Sequence, residues 1–428
     1  MVATIGLILV FTLIMARVPV GVAMLTVGVV GFASLTNWRP AGFMAAQTTF
    51  SIVSSYSLSV IPLFLLMGNL INRSKISVEL YDAAHAMIGH FRGGLAHATI
   101  LACGGFAAVS GSSMATTASM ARVAYPSMRR YGYKDILSTG SIAAGGTLGI
   151  LIPPSVVLVV YGILTETDIG KLFIAGIVPG VLAILLYMLM IAILTRLRPE
   201  WGPAVERASW GKRRAALAKV WPVLLLFVIV MGGIYGGVFT PTEAAGIGAF
   251  GAFMIALLRG VLTWRILLDT LTETAMTSAM MFLVIVGAMV FGNFLNLAGL
   301  PRMLQELIAA LDLTPFGVML VICLIYVLLG CVLESMSMIM LTIPIFFPVV
   351  VGLGFDPVWF GILIVMVVEI GLISPPIGLN AFMLRSVLPH VPLRTIFAGV
   401  LLFLGTDLLR ILLVVLFPQL VLYLPSLM

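Results

Sequence analysis

The sequence predicts an all-α polytopic membrane protein made of two inverted-topology repeats, each with five transmembrane helices and a re-entrant hairpin. Three observations carry that expectation. Hydrophobic residues make up 61% of the chain and charged residues only 9%, with a mean hydropathy of +1.21, whereas soluble domains are about half apolar and about a quarter charged. Apolar runs matched to a hydrocarbon layer of roughly 30 Å recur along the whole length, and they lack the roughly ten-residue alternation of membrane strands. The second half also repeats the first at an offset of 222 residues: Pro153-Pro154 falls on Pro375-Pro376, Gly149 on Gly371, Ser113 on Ser335, Pro126 on Pro348 and Pro19 on Pro241. With proline near 5% of residues, chance would give roughly one proline coincidence or fewer.

The first repeat covers residues 1–197. Met1 to Met15 has neither a basic leading segment nor a cleavage-like A-x-A site, so it reads as a retained span. Spans follow at about 19–36 and 52–72, with these first helices acting as a scaffold (1–72). "SVELYDAAHAMIGH" (77–90) is amphipathic and too polar to span, and it reads as a surface-lying helix, either a lever between moving and fixed parts or a plain connector. Residues 94–127 form a hairpin with a polar tip, 136–163 a broken helix and 170–196 a closing span.

A basic linker at 198–220, within "RLRPEWGPAVERASWGKRRAALAK", separates the halves. The second repeat, 221–428, has scaffold spans at about 221–238, 243–259 and 275–298. A surface helix (301–314), a hairpin (315–350), a broken helix (358–384) and a last span at about 396–417 complete it. Excess positive charge marks cytoplasmic loops. Threading with both hairpins non-crossing puts Arg17, Arg73, Lys75, Arg92, Arg129, Arg130, Lys134, Arg259, Arg265, Arg385 and Arg394 on the side of the linker, and leaves only Arg39, Lys171 and Arg302 opposite. Both termini are then external.

Chemistry is expected at the two breaks. In "AAGGTLGILIPPSVVLVVYG" (143–162) the proline pair removes a backbone donor and clashes with the preceding turn. Such a break is tolerated in a membrane only where the freed groups are buried in protein or line a cavity, and inverted repeats commonly put it at a midplane site. There carbonyls suit a sodium ion and half-helix N-termini suit anions. The hairpin tips supply polar partners: "AVSGSSMATTASM" offers Ser110, Gly111, Ser112, Ser113, Thr116 and Thr117, and "GCVLESMSM" offers Gly330, Glu334, Ser335 and Ser337. Small residues also serve close helix packing, so each serine taken singly has that simpler role. Glu334, opposite Ser112 in the repeat, is either a functional acid or a solvated hairpin tip. Glu369 could serve the site or a helix end, while Asp407 and Arg410, three apart, read as an internal ion pair.

Enzyme chemistry is not indicated. His85, His90, His97 and His390 lack ligand-like spacing, Cys103, Cys323 and Cys331 lack paired spacing, and there is no phosphate loop, nucleophile elbow or H-E-x-x-H. No cofactor is expected beyond a coupling sodium ion.

These stretches, with "GGLAHATILACGGFAAVSGSSMATTASMARVAYPSMRRYGY" (93–133), "GCVLESMSMIMLTIPIFFPVVVGLGFDPVWFGI" (330–362) and "EIGLISPPIGLNAFML" (369–384), resemble the large membrane subunit of tripartite ATP-independent periplasmic (TRAP) transporters. The resemblance covers nearly the whole chain. It implies an elevator-type secondary transporter of the bacterial inner membrane, in which sodium drives symport of a small organic acid such as a C4-dicarboxylate. A small four-helix membrane subunit and a periplasmic substrate-binding protein are the implied partners; the small subunit is not expected to be fused here. The implied sodium ligands are Ser110, Gly111, Ser113, Gly145, Gly149 and Pro153 from the first half, with Gly330, Glu334, Ser335, Gly371, Ser374 and Pro376 from the second. Substrate lining would come from Ser112, Ser113, Thr116, Thr147, Ser155, Ser337 and Asn380. Many family members carry aspartate where Glu334 stands. The rival readings are a self-sufficient dicarboxylate symporter or exchanger of related architecture, an ion channel and, last, a membrane-embedded enzyme.

Overall fold

The computed structural model describes residues 2–312 and 314–428, and among them every regular element is helical. In chain order the α-helices are α1 (Val2–Met15), α2 (Val20–Leu35), α3 (Trp38–Val53), α4 (Val60–Arg73), α5 (Ile76–Ile88), α6 (Gly94–Ser110), α7 (Ser113–Arg130), α8 (Asp135–Thr147), α9 (Val156–Thr165) and α10 (Ile169–Leu197). After the linker come α11 (Trp210–Tyr235), α12 (Pro241–Leu258), α13 (Trp264–Leu297), α14 (Leu300–Ala310), α15 (Pro315–Gly330), α16 (Ser335–Gly352), α17 (Pro357–Ile373), α18 (Leu379–Val387), α19 (Leu393–Leu416) and α20 (Gln419–Leu422). At an offset of 222 residues the hairpin helix α7 superposes on α16 end to end, and α6, α8 and α9 fall on α15, α17 and α18.

Helix starts follow local chemistry. Thr240 and Glu243 form a reciprocal capping box ahead of Pro241, and Asp356 caps α17 through the amides of Val358 and Trp359 ahead of Pro357. Asp168 caps α10 by accepting from the Lys171 amide at 2.8 Å.

Six helices, α10, α11, α12, α13, α16 and α19, are long and apolar enough to cross a membrane. A seventh span is possible if α3 and the 56–73 helix, bent by 57°, act as one. The chain is a multi-pass membrane protein. Five of the six helices are among the ten spans expected, while α16 is an arm of the hairpin read as non-crossing. Of the other five expected spans, two fall short because α2 and α4 have 16 and 14 residues, and the rest for two further reasons. α1 has 14 residues and is about 21 Å long at 1.5 Å per residue, and both proline-pair segments are split into shorter helices. Helix α3, with polar and small residues among its apolar ones, was not expected at all, and α11 and α13 begin about three turns ahead of the spans expected at 221 and 275.

Close helix contacts build the frame. α2 lies along α13 and α4 along α12; a β-carbon on Gly287 would stand 2.4 Å from the Gly21 carbonyl, so the first contact is backbone against backbone. The hairpins pack crosswise, α7 on α18 and α16 on α9, and α8 packs on α19. Surface helix α5 touches both groups: it packs on α6 and α11, and its Glu79 pairs with Arg259 at the end of α12 at 2.6 Å. Arg259 also donates to the carbonyls of Ser74 and Lys219.

Candidate functional site

Each proline pair interrupts a helix as the sequence predicts. α8 tightens into a 3-10 turn at Leu148–Ile150, loses regular structure and resumes as α9; α17 stops at Ile373 and resumes as α18. Side chains supply donors to carbonyls at both breaks, as burial away from water favours. The Ser155 hydroxyl donates to Ile150 at 2.5 Å, the Ser374 hydroxyl donates to Ile370 at 2.5 Å, and the Cys331 thiol reaches Pro375 at 3.4 Å. The two breaks are not equivalent in exposure, because Pro153 and Pro154 are buried whereas Pro375 and Pro376 are exposed.

A cavity of about 590 Å³ lies where the two hairpin tips meet the frame helices. Ser110 to Ala115 wall it from the first tip, and Glu334 to Ser337 with Met340 from the second. Ile150, Val156, Val157 and Leu372 contribute from the broken helices, and the opposite wall is Leu65, Gly68, Asn69 and Asn72 of α4 with Glu273, Thr277, Met280 and Met281 of α13.

The tips are built by capping. Gly111 takes φ +60° to end α6, a conformation that suits glycine, and it lies against the Pro154 carbonyl. Ser112 then caps α7 by accepting from the Ala115 amide at 3.4 Å, and Ser110 shares a 3.0 Å hydrogen bond with Thr116. Glu334 does for α16 what Ser112 does for α7: its carboxylate accepts from the amides of Met336 and Ser337 at 3.2 and 3.3 Å. The acid is thus neither unpaired nor merely solvated, since its charge faces the positive end of a helix dipole. The α7 and α9 N-termini also open on the cavity without an acidic occupant.

Of the predicted residues, the cavity brings together Ser110, Gly111, Ser112, Ser113, Glu334, Ser335 and Ser337. The others stand behind that wall. Thr116 is buried and donates to the Ser112 carbonyl at 2.8 Å, and Thr147 donates to Ala144 within α8. Ser155 caps α9, Gly145 packs on Cys103, and Gly149 abuts the Ser112 carbonyl. Gly330 and Gly371 pack on each other so closely that a β-carbon on Gly371 would stand 2.6 Å from the Gly330 Cα. Pro153, Ser374 and Pro376 lie in the breaks and not on the lining. Asn380 is fully buried, and neither amide atom has a partner among the described residues.

Asn69, Asn72 and Glu273 were not foreseen. Asn69 donates to Thr274 at 3.0 Å, Asn72 accepts from Ser119 of α7 at 3.0 Å, and Glu273 pairs with Arg73 at 3.1 Å, half exposed. The three-residue spacing of Asn69 and Asn72 on an otherwise apolar helix was the available signal. Behind the cavity, Arg410 pairs with Asp407 at 3.0 Å, as expected, and also with Glu369, while Tyr187 donates to Asp407 at 2.6 Å. All four are fully buried. Among the described residues no group of His, Cys, Asp and Glu forms a metal cluster.

The family model described as "Tripartite ATP-independent periplasmic transporter, DctM component" matches residues 7–420. The chain belongs to the DctM family. Among its relatives, the C4-dicarboxylate TRAP transporter large permease protein DctM of Pseudomonas aeruginosa is 40% identical over 88% of each chain. The sialic acid TRAP transporter large permease protein SiaM of Vibrio cholerae is 34% identical over 97% of this chain and 96% of its own. The ectoine TRAP transporter large permease protein TeaC of Halomonas elongata is 31% identical over 97% of each. The crystal structure of the Alcanivorax borkumensis YdaH transporter matches this DctM-family fold with a TM-score of 0.59 over 88% of this chain and 89% of its own, at 16% identity. That likeness concerns the fold alone.

Proposed function

We propose that this permease carries out sodium-driven symport of a small organic acid across the bacterial inner membrane, receiving it from a periplasmic binding protein and working with a small membrane subunit. The observation that carries the reading is the cavity between the two hairpin tips and the frame. One tip presents a helix-capping carboxylate with hydroxyls, the other presents hydroxyls and glycine backbone, and two helix N-termini capped only by serine face the same space. Carbonyls, hydroxyls and Glu334 suit a sodium ion. The amides opening α7 and α9, with no cationic side chain required, suit a carboxylate. The two halves are read as inverted repeats; the hairpins, broken helices and closing helices would then move together past a scaffold of α1–α4 and α11–α13, giving alternating access of elevator type. The substrates in the relatives' names, C4-dicarboxylate, sialic acid and ectoine, which carry carboxylates, and isethionate, a sulfonate, support a small organic acid as the class.

The test is uptake of labelled carboxylates into proteoliposomes holding the large subunit and its small subunit, with and without the binding protein and an inward sodium gradient. Uptake is expected only with both. Uptake that persists without a sodium gradient defeats the coupling, and uptake without the binding protein makes the chain a self-sufficient symporter.

A further inference from the structure

Arg213 sits in the first turn of α11, immediately after the basic linker, and is only 5% exposed. Its Nε and Nη2 have no hydrogen-bond partner, and among the described residues no carboxylate lies within ion-pair distance of it. Its guanidinium lies 5.3 Å from the centre of the Trp210 ring, a contact that offsets only part of the cost of removing a cation from water. The surroundings add positive charge and no compensation. Lys212 and Arg214 share the turn, no acid stands in it, and the positive end of a 26-residue helix is there as well.

The linker folds back onto the turn after α5: the Gly93 amide donates to Gly202 at 2.8 Å and the Lys134 amide donates to Trp201 at 3.1 Å. That brings His90 near Arg207 and Arg213. The His90 imidazole is held below its ordinary pKa by burial first and then by these two arginines, and its Nδ1 is also unpartnered. A buried arginine, a second arginine and a histidine, all without an anion, stand at a helix start that a largely exposed Trp210 marks as the membrane surface.

We propose that Arg213, with Arg207 and His90, binds the phosphate group of an anionic phospholipid at the membrane surface, anchoring the linker between the two halves. A phosphate oxygen accepts from Arg213, neutralises the crowded helix start, and leaves the acyl chains in the bilayer. Free inorganic phosphate offers the same chemistry, so the experiment separates the two.

Thermal unfolding of the purified full chain in detergent, with phosphatidylglycerol, phosphatidylcholine or inorganic phosphate added at equal phosphorus, is the test. Phosphatidylglycerol is expected to raise the Tm by several degrees where phosphatidylcholine and inorganic phosphate do not. Arg213→Gln should weaken the apparent affinity for phosphatidylglycerol by about tenfold, the scale of one charge-assisted hydrogen bond, while Arg214→Gln, an exposed neighbour with the same charge change, keeps it. Loss in both variants alike, or in neither, overturns the site. An equal response to inorganic phosphate overturns the lipid as the ligand. If Arg213→Gln does not fold, the exposed Arg207→Gln decides: weakened binding supports the site, and unchanged binding removes it.

Discussion

Glu334 holds two roles on one carboxylate: it accepts the first amides of α16 and it faces the cavity. The roles separate by substitution. Glu334→Gln keeps an oxygen for the cap and loses the charge, so the protein should melt within a few degrees of wild type while sodium-dependent uptake falls by about ten- to a hundredfold, as the proposed role of Glu334 in ion binding implies. Glu334→Ala removes the cap as well, costing about 1 kcal/mol, and Glu334→Asp should retain both stability and transport. Equal uptake by the glutamine variant would leave Glu334 as a cap only. The Arg410 cluster is a different case, because the cation there offsets two fully buried carboxylates. Arg410→Met should destabilise by about 3–5 kcal/mol and abolish a monodisperse peak in size-exclusion chromatography. Adding Glu369→Gln and Asp407→Asn should recover much of the loss. The hydroxyls and Glu334 were legible because polar residues inside apolar runs stand out. Asn72 and Glu273 were not, since polar residues near helix ends are ordinary and their pairing crosses from α4 to α7 and α13. Glu369 could not be assigned from sequence because its partner is 41 residues away on another helix.

Helices here meet at glycine. Hairpin helix α15 lies on α17 through Gly330 and Gly371, and Gly371→Ala would press a β-carbon onto backbone that cannot rotate away. Overpacking of this kind costs about 1–3 kcal/mol, so a lower Tm and loss of uptake are expected. Gly246→Ala, in open space on α12, should be neutral or slightly stabilising. If both behave alike, the hairpin does not depend on that contact. The breaks are tested by replacing Pro153 and Pro154 with alanine. α8 and α9 would then be free to join, moving the α9 N-terminus away from the cavity, and sodium-dependent uptake should disappear from folded protein. Breaks and hairpins were legible because proline pairs, glycine and the 222-residue repeat act locally. α3 and the extended ends of α11 and α13 were not, because helices that continue beyond the apolar layer lose the hydropathy signal by which spans are found. The exposure of one break and burial of the other is a property of the assembled fold that a near-identical proline-pair motif cannot encode.

At the scale of the whole molecule, the question is whether the hairpins slide past the frame. α2 meets α13 through a backbone-close contact at Gly21 and Gly287 that resists sliding, whereas α4 meets α7 through a hydrogen bond between side chains, Ser119 to Asn72 at 3.0 Å, and touches the hairpin tip where Gly68 lies against the Ser110 carbonyl. A bridge between short side chains can be exchanged during movement without exposing apolar surface, which interlocked glycine contacts cannot do. Cysteines at positions 72 and 119, joined by a short thiol-reactive linker, would fix hairpin to frame. Cross-linking should stop uptake in proteoliposomes, and cleavage of the linker should restore it, with each single variant unaffected by the reagent. A control pair within the frame, at positions 73 and 273, where an exposed ion pair joins α4 to α13, should tolerate the same treatment, because no relative motion is required there. Uptake that continues through complete cross-linking at 72 and 119 would mean that access alternates by local gating at the tips, with the hairpins stationary against α4.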